Sequence, residues 1–485
     1  VRSRGLGDVY KRQPKSNPAI IARYNQPLYV AVKTRQQVAA AEGKVTVDFY
    51  LINEKNVRGN HQLKISVTDY QGKVMEVGTY ETEAAGGEVY GQLLVKDVKI
   101  PVPTAGGLCR IEAKLCKENS VVTTGYDDIL SVNLASNMLD GKGAVWEDGS
   151  ALQNFLKGKT KEAVAAYEDN LGKLDWIMVA RPPRKDQLTM VPMEALRSAD
   201  GKPGLDVVYY EDMEFQKEVY HEVAKVVNLS AIEGATPSPF VYMLDGYGIK
   251  WSGKVLPSVS GEYTIIPQSN DRSMIEVFVN GKKIYEITRK KEHLGDGKVY
   301  LEGGKSADIE IRFRHPRSNA RCRLDWAVPN DKMPDAQRLM ERAVNDGTKI
   351  FIIQSADEWS EFIAANSKAV FKDKFFVGTN WLGGVMFNKP HDIFKELPVG
   401  NALNWPYQAL IHTGVERMGL VMEGEELLVG AYHTYPMAIG TAMGIVPMGK
   451  GSVLFSTLDI YGNIINDSAA GLVAKKLIFN MIDFK

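Results

Sequence analysis

Asn270-Asp271-Arg272-Ser273 is the segment best equipped for binding chemistry. Adjacent side-chain oxygens at a loop tip suit calcium or sugar hydroxyls. The same residues also make an ordinary Asn-Asp turn that binds nothing. Gly444-Ile445-Val446-Pro447-Met448-Gly449-Lys450-Gly451-Ser452 nearly writes a phosphate-binding loop. That motif needs Ser or Thr directly after the Lys and a helix beyond it. Here Gly451 follows Lys450 and a strand is expected, so the segment reads as a turn. His412 and His433 belong to no spaced ligand set and read as hydrogen-bonded structural histidines. There is no Gly-x-Ser-x-Gly elbow. The aromatic clusters Trp381-Leu382-Gly383-Gly384 and Asn404-Trp405-Pro406-Tyr407 could stack on sugar faces or line an interface, but buried packing is the preferred reading.

The three cysteines are Cys109, Cys116 and Cys322. Cys109 and Cys116 share one expected strand, where their separation is roughly 23 Å, beyond disulfide reach. The odd spacing puts them on opposite faces. No cysteine falls in the α/β stretches identified below, so thiol acyl chemistry has no nucleophile there. Spacing identifies no carboxylate pair for glycoside chemistry, and there is no eightfold βα run to carry one. No catalytic residue is therefore assigned.

Lys plus Arg equals Asp plus Glu, 59 each, and the longest basic run, Arg289-Lys290-Lys291, reads as a solvated turn. Nothing suggests a nucleic-acid partner. No apolar stretch approaches the ~20 residues that span a membrane.

The elements that must position these residues fall into a pattern. Residues 28–138 read as all-β: Val45 to Leu51 and Leu63 to Val67 alternate with period two, and turn residues separate them. Strands so spaced predict an immunoglobulin-like sandwich. From Leu139 the grammar changes to βα alternation, with strands at Ala144–Trp146 and Leu174–Ala180 and a helix at Ala151–Lys157. Arg181–Pro203, rich in proline and charge, reads as a linker. Residues 204–329 return to β, including a hairpin around Asn280-Gly281, the signature of a type I′ turn. From Pro334 βα resumes: helix Ala336–Asn345 capped by Gly347, strand Lys349–Gln354, helix Glu358–Asn366, strand Ser452–Ser456, and a helix from Asp467 to Phe484 with Asp467 or Ser468 as N-cap. The expectation is a multidomain chain: an immunoglobulin-like β-sandwich, then a flavodoxin-like α/β domain in two halves (139–203 and 330–485), interrupted by an inserted β-sandwich (204–329).

Resemblance adds to this. Ile249-Lys250-Trp251-Ser252-Gly253, Ser260-Gly261-Glu262-Tyr263-Thr264, Ser269-Asn270-Asp271, Val277-Phe278-Val279-Asn280-Gly281 and Leu324-Asp325-Trp326 resemble the protective-antigen-type carbohydrate-binding domain. The resemblance implies a sugar site at Asn270, Asp271, Arg272 and Trp251, with calcium at the adjacent pair Asn270 and Asp271. Asn270 departs from the family's acidic pair by replacing one carboxylate. Pro18 to Pro27 resembles the segment leaving the catalytic barrel of bacterial glycoside hydrolase family two enzymes, the β-galactosidase group. Leu171 to Trp176, Val429 to Pro436 and Asp467 to Gly471 resemble the glutamine-amidotransferase-like domain appended to some glycosidases, here without its nucleophile. Val1–Gln13 resembles a translated sequencing adapter: Asp8-Val9-Tyr10-Lys11-Arg12-Gln13 is a permitted reading of a transposase adapter end. Residues 14–27 are then the tail of a missing barrel. Together these imply a non-catalytic C-terminal fragment of a periplasmic or secreted glycosidase acting on β-linked glycans. Its partner is an oligosaccharide or polysaccharide. The alternative is a structural module that forms homo-oligomers and binds no sugar.

Overall fold

Alternating apolar residues build the N-terminal unit as two facing sheets. The computed structural model describes residues 18–484, apart from 119, 135–137, 184–187, 231–236, 239–244, 270–271, 318–319, 330–333, 378–383, 413–417, 435–436 and 465–468. Helix α1 (Pro18–Tyr24) precedes strands β1 (Leu28–Thr34), β2 (Val38–Ala40), β3 (Lys44–Asn53), β4 (Arg58–Thr68), β5 (Val74–Ala85), β6 (Gly91–Pro101), β7 (Gly107–Lys117) and β8 (Ser120–Val132). One sheet has the order β1-β3-β6 and the other β2-β8-β7-β4-β5. Val45, Val47, Phe49 and Leu51 of one meet Leu63, Ile65 and Val67 of the other in a shared core. Burying one face of each sheet is what holds a sandwich together. At Gly125 of β8 a Cβ would lie 1.6 Å from the Val30 carbonyl oxygen, so only glycine admits the backbone approach of β1. All three cysteines are free and buried. Burial raises the Cys109 thiol to about 11, so it is not a reactive thiolate.

The second unit, from Leu134 onward, begins with β9 (Gly143–Glu147), α2 (Ala151–Leu156), β10 (Ala165–Ala166) and β11 (Trp176–Ala180). Then come β12 (Thr189–Met190), β13 (Leu196–Arg197), β14 (Leu205–Tyr210), β15 (Glu218–Ala224), β16 (Asn228–Ser230), β17 (Tyr247–Val255) and β18 (Gly261–Ser269). The insertion closes with β19 (Met274–Val279), β20 (Lys282–Ile287), β21 (His293–Leu294), β22 (Lys298–Leu301), β23 (Ala307–His315) and β24 (Arg321–Ala327). After it follow α3 (Ala336–Asp346), β25 (Lys349–Ile352), α4 (Ala356–Ala365), β26 (Val370–Phe376), β27 (Val385–Asn388), α5 (Gln408–His412), β28 (Met418–Glu423), β29 (Glu426–Thr434), β30 (Met437–Met448), β31 (Gly451–Ser456), α6 (Ile460–Ile464) and α7 (Ala469–Asp483).

The two halves share one ten-stranded sheet. Its parallel part runs β10-β9-β11-β25-β31. Ile177, Val179, Ile350, Ile352, Val453 and Phe455 carry its core, as expected of strands buried on both faces. Beyond β31 the sheet departs from the expected flavodoxin-like form: β26 to β30 add an antiparallel extension. The near-P-loop is the turn between β30 and β31, with Met448 opposite Gly451 and Gly449 at φ 58. Gly347, at φ 79, caps α3. The helix expected from Asp467 forms as α7; its proposed N-caps lie outside the described residues.

The insertion is itself a sandwich, β15-β14-β17-β23-β19-β20-β21 against β12-β24-β18-β22. The stretch expected as a linker contributes to it. Thr189 pairs with Trp326, and Leu196 pairs with Val255. Extended, proline-marked chain meets an open sheet edge there, and its backbone groups are satisfied by joining it. Asn280 and Gly281 both have positive φ, 49 and 75, as a type I′ turn requires.

Candidate functional site

At one end of the larger insertion sheet, the β14–β15 and β20–β21 loops, the start of β19 and the end of β23 converge. Register brings them together: Met274 lies opposite Arg314, and Ile275 opposite Ile287. A cleft of about 660 Å³ opens there, lined by Arg272, Arg289, Lys291, Arg314, Glu214 and Met213 among others. This is the size of a small-molecule site. Arg314 is held in place: its Nη1 donates to Glu276 Oε2 at 2.9 Å and its Nε to the Met213 carbonyl at 3.0 Å. Burial would raise the Glu276 carboxyl, but its contacts with Arg314 and Lys283 hold it below its usual range. Lys291 sits at φ 65, in a turn whose Thr288 Oγ1 accepts the Lys290 and Glu292 amides at 3.2 Å.

Of the residues expected to bind sugar, Arg272 lines this cleft, and its side chain is exposed. Asn270 and Asp271, the expected calcium pair, lie outside the described residues. Among the described residues no group of three or more His, Cys, Asp or Glu is arranged to hold a metal. Trp251 is a correction. It lies opposite Val207 and Ile311, is 3% exposed, and meets Phe313 edge-on at 6.2 Å. The inward parity of β17 puts it in the insertion's core, where it cannot stack on a sugar. Arg289 and Lys291 were expected only as solvated turn residues. They join Arg272 because two hairpin ends share one sheet end, which spacing does not reveal.

The other candidates are dispersed. His433 stands half-buried in β29, opposite Ala438. Tyr407 is core, its hydroxyl donating to the Pro398 carbonyl at 2.6 Å. Trp381 lies outside the described residues.

A second constellation gathers at the carboxyl ends of the parallel strands, between β9 and β11, where α/β sheets reverse strand order and commonly bind ligands. Glu147 accepts the Leu152 and Gln153 amides at 3.0 and 2.9 Å, capping α2, and the Tyr461 hydroxyl at 2.8 Å. Burial raises the Glu147 carboxyl above its ordinary value against these donors, and nearby Glu194 adds to the rise. Asp148 pairs with Arg181 and accepts the Thr189 hydroxyl. The Arg181 carbonyl accepts the Trp359 indole at 2.8 Å. Ser355, between β25 and α4, has φ 53 and ψ 36. That strand–turn–helix geometry resembles a nucleophile elbow. Among the described residues no histidine or carboxylate hydrogen-bonds its hydroxyl, so no nucleophile–base pair is assigned. The network is built to join the insertion to the sheet.

Against known proteins, residues 201–338 match the family described as PA14 domain. A PA14 domain is therefore present, over nearly the span of the inserted sandwich. The chain is 28% identical over 127 residues to the anti-sigma-I factor RsgI3 of Acetivibrio thermocellus, covering 26% of this chain and 19% of that protein. It thus spans about a fifth of that curated relative. Among solved structures it is similar to an anti-sigma factor domain-containing protein from Clostridium clariflavum (10% identity, 63% of this chain, 91% of the other, TM-score 0.25). It is also similar to a β-glucosidase from Kluyveromyces marxianus (12%, 45% and 26%, TM-score 0.28).

Proposed function

We propose that this chain binds carbohydrate through its PA14 domain and is the non-catalytic C-terminal part of a glycosidase acting on β-linked glycans. The observation that carries the binding reading is the cleft of about 660 Å³ beside Arg272, inside the span that matches the PA14 family. Its mixture of charged, hydroxyl and apolar groups suits a polyhydroxylated ligand. The parental reading draws support from the order of parts: a sandwich, then an α/β sheet split by the insertion. Numbered in chain order, the parallel strands run 2-1-3-4-5, the order of flavodoxin-like folds. Calcium at Asn270 and Asp271 belongs to the same proposal. The test is calorimetric titration of the full chain with a panel of β-linked and acidic oligosaccharides, with and without calcium. Saturable binding to any member supports the reading, and silence across the panel under both conditions overturns it.

A second reading, assembly without sugar binding, is favoured by one observation. The antiparallel extension exposes Phe376, Phe387, Met437 and Ile439, the last two at 80% and 67%. Large exposed apolar side chains mark interaction surfaces when they cluster. Light scattering at high concentration decides: a dimer or larger assembly supports it, a monomer overturns it.

A further inference from the structure

We infer that the cleft at the loop end of the PA14 domain selects an acidic oligosaccharide, one carrying carboxylate or sulfate groups, over a neutral one; this rests on the carbohydrate reading above. Four cations line it, Arg272, Arg289, Lys291 and Arg314, against the single carboxylate of Glu214. Arg314 is already matched by Glu276. Among the described residues, Arg272, Arg289 and Lys291 have neither an ion-pair nor a side-chain hydrogen-bond partner, and all three are exposed. The chain as a whole carries no net charge, so this excess is local and does not follow from composition.

Arg272 at one hairpin end and Arg289 and Lys291 in the turn of the other line one cleft; such unmatched like charges repel each other, and an anion between them relieves that repulsion. Arginine is suited to the role because its planar fork donates two parallel hydrogen bonds to a carboxylate or sulfate. Met213 and Met274 supply apolar wall beside the charges, which suits the C–H face of a sugar ring better than a bare inorganic anion. A neutral glycan would leave the guanidinium groups unmatched and gain less from entering.

The experiment is titration of the full chain with length-matched oligosaccharides: uronate oligomers, sulfated oligomers and neutral β-linked oligomers, with inorganic sulfate and polyaspartate as non-sugar anions. The expected result is binding to at least one acidic series, weakening as salt is raised, and at least about tenfold tighter than the neutral series. That factor corresponds to about 1.4 kcal/mol. Uronate and sulfated arms tell the two anion sources apart. The Arg272→Ala/Arg289→Ala variant should lose about tenfold or more of acidic binding while unfolding at the same urea concentration. The Arg272→Lys/Arg289→Lys variant, which keeps charge but not the fork, should fall between. Neutral oligosaccharides binding as tightly as acidic ones would overturn this inference and leave the carbohydrate reading standing. Polyaspartate or sulfate binding as tightly as the sugars would reduce the cleft to a charge patch and overturn it. Failure of every sugar overturns both.

Discussion

Removing the Arg181 guanidinium should do more damage than removing the whole ion pair. Arg181 and Asp148 are 8% and 14% exposed at their side chains, and burial lowers the Arg181 pKa against the pull of Asp148. In Arg181→Met the carboxylate keeps, among the described residues, only the Thr189 hydroxyl as side-chain donor. An ionised group left alone at such a site costs about 3–5 kcal/mol, whereas replacing both partners with apolar side chains is close to neutral. Arg181→Met should therefore lose about that much against urea, and Arg181→Met/Asp148→Leu should regain most of it. The readout is built in: the Arg181 guanidinium lies 5.6 Å from the Trp146 ring, and its carbonyl accepts the Trp359 indole. Tryptophan fluorescence during urea unfolding includes the signal of these two rings. If Arg181→Met unfolds within ~0.5 kcal/mol of the parent, as exposed surface changes do, or if the double variant is less stable than the single, the pair does not join insertion to sheet as described.

Other perturbations separate structure from site. Trp251→Ala should cost about 3–5 kcal/mol by opening a cavity under Phe313, whereas Arg272→Ala should stay within ~0.5 kcal/mol; calorimetry of the two variants checks the pair. Gly125→Ala drives a methyl into the Val30 carbonyl and should destabilise the N-terminal sandwich by at least about 1–3 kcal/mol, seen as a lowered melting transition. The buried Glu147 carboxyl has its pKa raised in the folded state, so it holds its proton more tightly there than in the unfolded chain. Its contribution is fully present below about pH 4.5 and is lost as pH rises through the folded value. Glu147→Gln should flatten that dependence in urea unfolding measured from pH 4 to 7, and an unchanged slope would contradict the assignment.

Local chemistry that admits one conformation was readable in the sequence. Asn280-Gly281 needs positive φ twice, and Gly347 can end a helix where other residues strain; both behave so. Period-two alternation marked the first sandwich because apolar residues at every second position build its inner face. The antiparallel extension was not readable. Its strands carry glycines at 419 and 430, which in a sequence suggest loops. In the fold, aromatic rings occupy the missing side chains' space: a Cβ at Gly419 would lie 2.4 Å from the Phe375 ring, and one at Gly430 2.3 Å from Phe387. A glycine under a ring is a strand residue whose side chain is lent by its neighbour, and that pairing exists only once the strands are in register.

The same logic separates motif from site in the PA14 domain. Trp251 lies within the span that matches the PA14 family and belongs to the core, where packing fixes its side chain. Arg289 and Lys291 stand in a loop and line the cleft, and loops that packing leaves free are where binding residues are commonly carried. Binding specificity should therefore move with residues 272, 289 and 291, and stability with residue 251. Exchanging those three loop positions should redirect ligand choice between acidic and neutral sugars at constant urea midpoint. Loss of folding in the loop variants, or a change of sugar preference caused by a conservative change at Trp251 such as Trp251→Phe, would show that core and cleft are not separable in this way.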